Sequence, residues 1–403
     1  MEPMKIYFDV RDIFRAPRLA LGGKKIWIML QALLAGYATY WVFTYLSFLI
    51  AGLTFGEVWE KYGLYPCLVG NESNWFACGL WGVGVIALLA AMVLGATAVA
   101  RVTYKQLKGD EFYSSSDAWK YVRKHWHAPI FTHLSIAVIA LFFVVFAVVF
   151  ALIGKIPYLG ELFFGIPYLL WFLGSVFVVY TAAVFCVSLF FTHAIVGAME
   201  EDTMGAVFQS YSITWSQPWR VLLYLPLTYA LVYAGFMVFV WFMHAGYHMI
   251  NTVFGHSLLM GAKLQNMVGW ATDLVMGPKT IVAWCLGCYA GGWCPLDVPV
   301  AEASLGTFEY IGAFFVAVSL FLIVATAVAY AFSVKVVAQT IAVVIFRKKS
   351  DDENLLERKD EEELEMEDDD FEWKPEEASE ETESDEDAED EEEGDSEEES
   401  DQA

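Results

Sequence analysis

An all-α integral membrane protein with six transmembrane helices is the fold class this sequence predicts. Three observations carry the reading. The chain has 403 residues, of which 57% are hydrophobic, more than the roughly half that a soluble domain carries. Six apolar runs each reach the ~20 residues that a helix needs to cross a bilayer core about 30 Å thick. Lys and Arg gather on one side of those runs, as orientation in a membrane requires.

The formal net charge of −25 looks incompatible with an apolar membrane body until it is divided along the chain. Residues 351–403 hold 32 Asp and Glu against 3 Lys and Arg, a net of −29. The remaining 350 residues hold 17 acids and 21 bases, a net of +4. The organisation predicted is an amphipathic N-terminal segment (1–25), a six-helix transmembrane domain (26–350) and an acidic, largely disordered tail (351–403). No concentrated basic face exists, which argues against nucleic-acid binding.

The spans fall at about 26–53, 80–100, 130–153, 166–196, 221–245 and 310–346. Helices are the only reasonable form for them, because lipid offers no partner to backbone polar groups. The fourth and sixth run well past 20 residues, so they tilt or continue into water. The first is longer than the apolar core of a signal peptide and no small-residue cleavage site follows it, so a retained helix is expected. Sixteen Lys and Arg lie before the first span, after the second, before the fifth and after the sixth. The opposite loops hold Lys61, Lys155, Lys263 and Lys279. Both termini, and the tail with them, are therefore expected in the cytoplasm. Lys335, low in the last span, can snorkel to that interface.

Each odd-numbered span follows a short amphipathic stretch. Ile6, Val10, Ile13 and Phe14 share a helical face near the N-terminus. Trp119, Val122 and Trp126 do so in 110–127, and Ala206, Val207, Tyr211 and Trp215 in 202–217. The last two stretches end alike, in Trp126-His-Ala-Pro129 and Trp215-Ser-Gln-Pro218. Pro cannot continue a helix, and Trp sits well at headgroup level. The pattern reads as three units of one design, an interfacial helix followed by a transmembrane hairpin. Small residues in the second span (Gly82, Gly84, Ala87, Ala91, Gly95) would allow close helix packing.

A resemblance enters at these residues. The segment 198–224, with Met199-Glu-Glu-Asp202 leading to Ser216-Gln-Pro-Trp-Arg220, resembles a segment of uncharacterised bacterial polytopic membrane proteins. So does Asp12-Ile-Phe-Arg-Ala-Pro17 followed by Gly22-Gly-Lys-Lys25. In looser form the plan resembles the membrane domain associated with glycerophosphoryl diester phosphodiesterases. The likeness covers most of 5–345. It implies an all-helical protein of a bacterial inner membrane and transfers no active site, since the soluble phosphodiesterase domain is missing.

Cys67, Cys78, Cys285, Cys288 and Cys294 all fall in the two long outer loops, a distribution that suits disulfides in an oxidising compartment. Cys67 and Cys78 are expected to pair, and an odd thiol is left over if two bridges form. Cys186, inside the fourth span, reads as a small packing residue. Cys285-x-x-Cys288 is also a spacing that binds metal or exchanges disulfides. His244 and His248, at i and i+4, share a helix face and could join those thiolates in a metal site, although the carboxylate of an H-E-x-x-H motif is absent. Phe131-Thr-His133 and Phe191-Thr-His193 place two imidazoles at similar depth, as an intramembrane polar pair or as rings bonded to carbonyls.

No Asp or Glu sits in mid-span, and no nucleotide-binding loop, nucleophile elbow or metalloprotease motif is present, so neither an enzyme nor a cofactor is expected. In the outer loop, 253–260 and 281–288 are apolar enough to dip into the bilayer. Beyond the last span, 351–367 can continue the helix, and Phe371-Glu-Trp373 is an aromatic island in the acidic run, a candidate docking motif for a basic protein. The leading expectation is a scaffold or assembly partner that recruits cytoplasmic proteins through this tail, alone or as a homo-oligomer or membrane complex. A transporter or channel for a small or lipid-like solute, and an outward-facing redox or metal-handling protein, remain as alternatives.

Overall fold

The computed structural model describes residues 4–68, 74–276, 305–360 and 362–364. Among the described residues the secondary structure is entirely helical. Four short helices and helical turns, α1 (Val10–Ile13), α2 (Ala16–Ala20), α6 (Ser115–His125) and α10 (Thr203–Ser216), precede the first, third and fifth long helices. The long helices are α3 (Gly23–Ile50), α5 (Trp75–Leu107), α7 (His127–Ile153), α9 (Tyr168–Met199), α11 (Pro218–Phe254) and α13 (Thr307–Asp351). All six are long and apolar enough to cross a membrane. Three smaller helices, α4 (Phe55–Tyr62), α8 (Leu159–Gly165) and α12 (Ala262–Met276), lie between them.

Residues Met1–Arg358 form one compact unit. In it α3 packs along α5, α7 along α9, and α13 against α2, α3, α5, α9, α11 and α12. Small residues set the closest approaches. A Cβ on Gly95 of α5 would collide with the Ala32 Cβ of α3, and one on Gly197 of α9 would lie 2.7 Å from the Ala100 Cβ of α5. In the second unit, Lys359–Ala403, Asp360 and Glu363 cap a short turn reciprocally, each carboxylate accepting from the other's amide at 3.2–3.3 Å.

Burial is uneven along the bundle. The core gathers at the end where α3, α7, α11 begin and α5, α9, α13 finish, hereafter the terminal end, with Met29, Val99, Ile195 and Val344 all fully buried. At the opposite, far end, α7 and α9 expose nearly all of their apolar side chains.

The helix starts follow local chemistry. The Ser114 hydroxyl caps α6 by accepting from the Asp117 amide at 3.2 Å and donates to the Asp117 carboxylate at 2.6 Å. That bond, with the Lys120 ammonium at 2.9 Å, holds the Asp117 carboxyl below the usual carboxylate range. Asp202 caps α10 by accepting from the Gly205 amide at 2.7 Å. The two Trp-x-x-Pro motifs behave differently. Pro218 opens α11, and Gln217 before it leaves the helical region (φ −138°, ψ 45°). Pro129, in contrast, lies in the first turn of α7, where its missing N–H costs nothing. There the break between α6 and α7 is confined to Trp126, itself helical in φ and ψ.

The last helix does not run on into 351–367. It stops at Asp352, which is left-handed (φ 55°), and the chain then turns back so that Leu355 and Leu356 join the core. Near the far end, 253–260 is the last turn of α11 and a bend; α12 follows and packs on α13, while 281–288 lies outside the described residues.

Candidate functional site

The site begins with an ion pair that composition could not place. Arg101 sits on α5 because that helix runs seven residues past the apolar span. Its guanidinium is fully buried and meets the Glu200 carboxylate at 2.7 Å. Glu200 ends α9 in a left-handed conformation (φ 60°), which turns the chain toward α10. The guanidinium also stacks over Tyr121 at 4.5 Å and Tyr104 at 5.6 Å from the ring centroids. Tyr121 donates to the Val196 carbonyl at 2.6 Å. One cation thus joins α5, α6 and α9. Beside it Lys25, 2% exposed, donates to the Leu19 carbonyl at 3.0 Å and to Gln106 Oε1 at 2.7 Å.

The root of the tail is clamped to this platform. Gln217 donates to the Phe346 carbonyl at 3.0 Å and to Ser350 Oγ at 2.5 Å. Arg220 in turn donates to Gln217 Oε1 at 2.9 Å. Arg347 pairs with Asp351 and, at 2.7 Å, with Glu353. Lys348 reaches Asp352 at 2.9 Å, which holds that exposed carboxyl below the usual range. Beyond the turn, Tyr104 donates to the Leu355 carbonyl and Lys108 to the Arg358 carbonyl, both at 2.8 Å.

The predicted intramembrane histidines do not bond each other. His133 is held by carbonyls, with Nδ1 2.9 Å from Pro129 O and Nε2 3.2 Å from Ser188 O, so it ties α7 to α9. His193 is buried farther in, with Gln339 and Lys335 of α13 as electrostatic neighbours. Lys335 is half-buried. Its ammonium lies 5.9 Å from the Phe190 ring centroid.

At the far end, His244 and His248 do share a face, with ring centroids 4.3 Å apart and nearly perpendicular planes. Among the described residues no third His, Cys, Asp or Glu joins them, and Cys285, Cys288 and Cys294 lie outside those residues. The expected Cys67–Cys78 bridge is not made. Cys67 belongs to a half-buried loop, whereas Cys78 is exposed on the first turn of α5. That loop is fixed instead by tyrosines on one face of α3: Tyr37, Tyr40 and Tyr45 donate to the carbonyls of Leu64, Pro66 and Gly63. Their helical spacing was a readable signal. Cys186, expected in the packing, is exposed. Phe371 and Trp373 lie outside the described residues.

The site has no nucleophile–base pair and no converging carboxylates among the described residues; it can brace helices and anchor a chain end. No protein-family model, curated protein or solved structure matches this chain. The six apolar helices are long enough to cross a membrane, which is compatible with a multi-pass membrane protein.

Proposed function

We propose that this chain is a non-enzymatic scaffold or assembly partner in a bacterial inner membrane, with both termini in the cytoplasm and its acidic tail offered to a basic protein. The short helices before α3, α7 and α11 would then lie in the cytoplasmic interface. The exposed Trp126, Trp215 and Trp219 on or beside them suit headgroup depth. One observation carries the reading: the chain is held through Arg358 before the acidic run begins. Arg347, Gln217, Tyr104 and Lys108 all grip 346–358, so the tail departs from a fixed point. Residues 359–403, of net charge −26, need such an anchor, because an anionic inner leaflet repels them.

Deleting 359–403 leaves the clamp intact and tests the proposal. Affinity purification from the native membrane should lose basic cytoplasmic proteins in the deletion and retain them with the full chain. If every co-purifying protein stays, the tail is not the recruiting element.

A further inference from the structure

The far halves of α7 and α9 line a half-open apolar chamber of about 830 Å³, within the roughly 300–1,000 Å³ typical of ligand sites. Its walls come from Phe143, Phe146 and Phe150 of α7 and from Trp171, Gly174 and Val178 of α9. Aromatic contacts between the two helices flank it, with Phe150 4.9 Å from Trp171 toward the far end and Phe143 4.9 Å from Phe177 deeper in. The chamber opens to the surface of helices that are exposed along nearly their whole far halves.

We infer that this chamber is a binding site for one acyl chain of a phospholipid from the adjacent leaflet. Depth is the first argument. The lining runs from Phe143 to Ala151 on α7, about 12 Å at 1.5 Å per residue, close to the ~15 Å of hydrocarbon in one leaflet. The vertical order is the second. Lys155, exposed, lies just past the end of α7, where a phosphate headgroup would sit. Trp171 lies in the first turn of α9, at the interfacial level that indole rings favour. Its Nε1 donor is buried and has no hydrogen-bond partner among the described residues. The phenylalanines continue inward along the path of the chain. The site is independent of the tail reading, since it shares no residue with the clamp.

Gly174 provides the test. It lines the chamber, and a Cβ built on it meets nothing within 4 Å. A large side chain there fills the chamber without striking the protein, and replacing a mid-helix Gly favours the helix. The full chain is placed in nanodiscs containing phosphatidylglycerol with a photoactivatable acyl chain, and adducts are mapped by mass spectrometry. Adducts should concentrate on 143–151 and 170–179 over the exposed face of α11 at Trp241 and Phe242. Gly174→Phe should lower the chamber adducts about ten-fold, the change that a loss of ~1.4 kcal/mol of binding produces. Gly174→Ala should leave them unchanged. Unaltered α11 adducts in each variant report an intact fold. Adducts spread evenly over both faces, or chamber adducts unchanged by Gly174→Phe, would each overturn the assignment.

Discussion

Arg101→Met is expected to destabilise the protein by about 3–5 kcal/mol, because it leaves the Glu200 carboxylate buried without its cation. The guanidinium is fully buried and the carboxylate side chain 3% exposed, at 2.7 Å, so water replaces little of what is lost. Glu200→Gln should cost a similar amount for the converse reason. Combining the two should recover much of the loss, since a neutral pair no longer pits desolvation against a missing partner. Arg101→Lys should fall between, keeping the charge while losing the planar stacking over Tyr121 and Tyr104. Thermal unfolding midpoints in one detergent for the four variants decide this. Equal, small shifts in both single variants would mean that the pair does not brace α5 against α9.

Truncation after Ser350 is expected to unfold the terminal end far more readily than truncation after Arg358. The first removes Leu355 and Leu356, 0% and 6% exposed, which at about 1.5–3 kcal/mol for each buried leucine amounts to roughly 3–6 kcal/mol. It also strips Arg347 of Asp351 and Glu353, and Tyr104 of the Leu355 carbonyl. Truncation after Arg358 keeps each of these contacts and should lower the midpoint by less than half as much. Identical behaviour of the two truncations would show that 351–358 adds nothing to the fold. The result also governs tests of the tail. A deletion from 351 removes part of the core along with the acidic run, and a lost partner would then report unfolding.

Much of the fold was legible because its signals are local. Hydropathy over some 20 residues located six helices, and each predicted span lies within or close to its helix (for example 130–153 within His127–Ile153). The stretch 202–217 begins at the residue that caps α10, whereas the one expected from 110 becomes helical only after its cap at Ser114. The site was far less legible. Arg101 read as a loop residue fixing orientation, since its burial depends on α5 continuing and on Glu200 arriving 99 positions later. The Cys67–Cys78 bridge expected from nearness in sequence is not made among the described residues.

The sequence alone therefore determined the class of protein, the number and approximate extent of its membrane helices, and the separation of a +4 body from a −29 tail. Each of these is set by composition along the chain and by the cost of exposing apolar or charged groups to the wrong solvent. Only the tertiary structure decided that Arg101 meets Glu200, that His133 bonds the Ser188 carbonyl rather than His193, that Leu355 folds back into the core, and that α7 and α9 part to leave a chamber. Those outcomes depend on the distance and angle between groups remote in sequence. Such geometry comes from the packing of small residues such as Gly95 and Gly197, not from the hydropathy of any one segment.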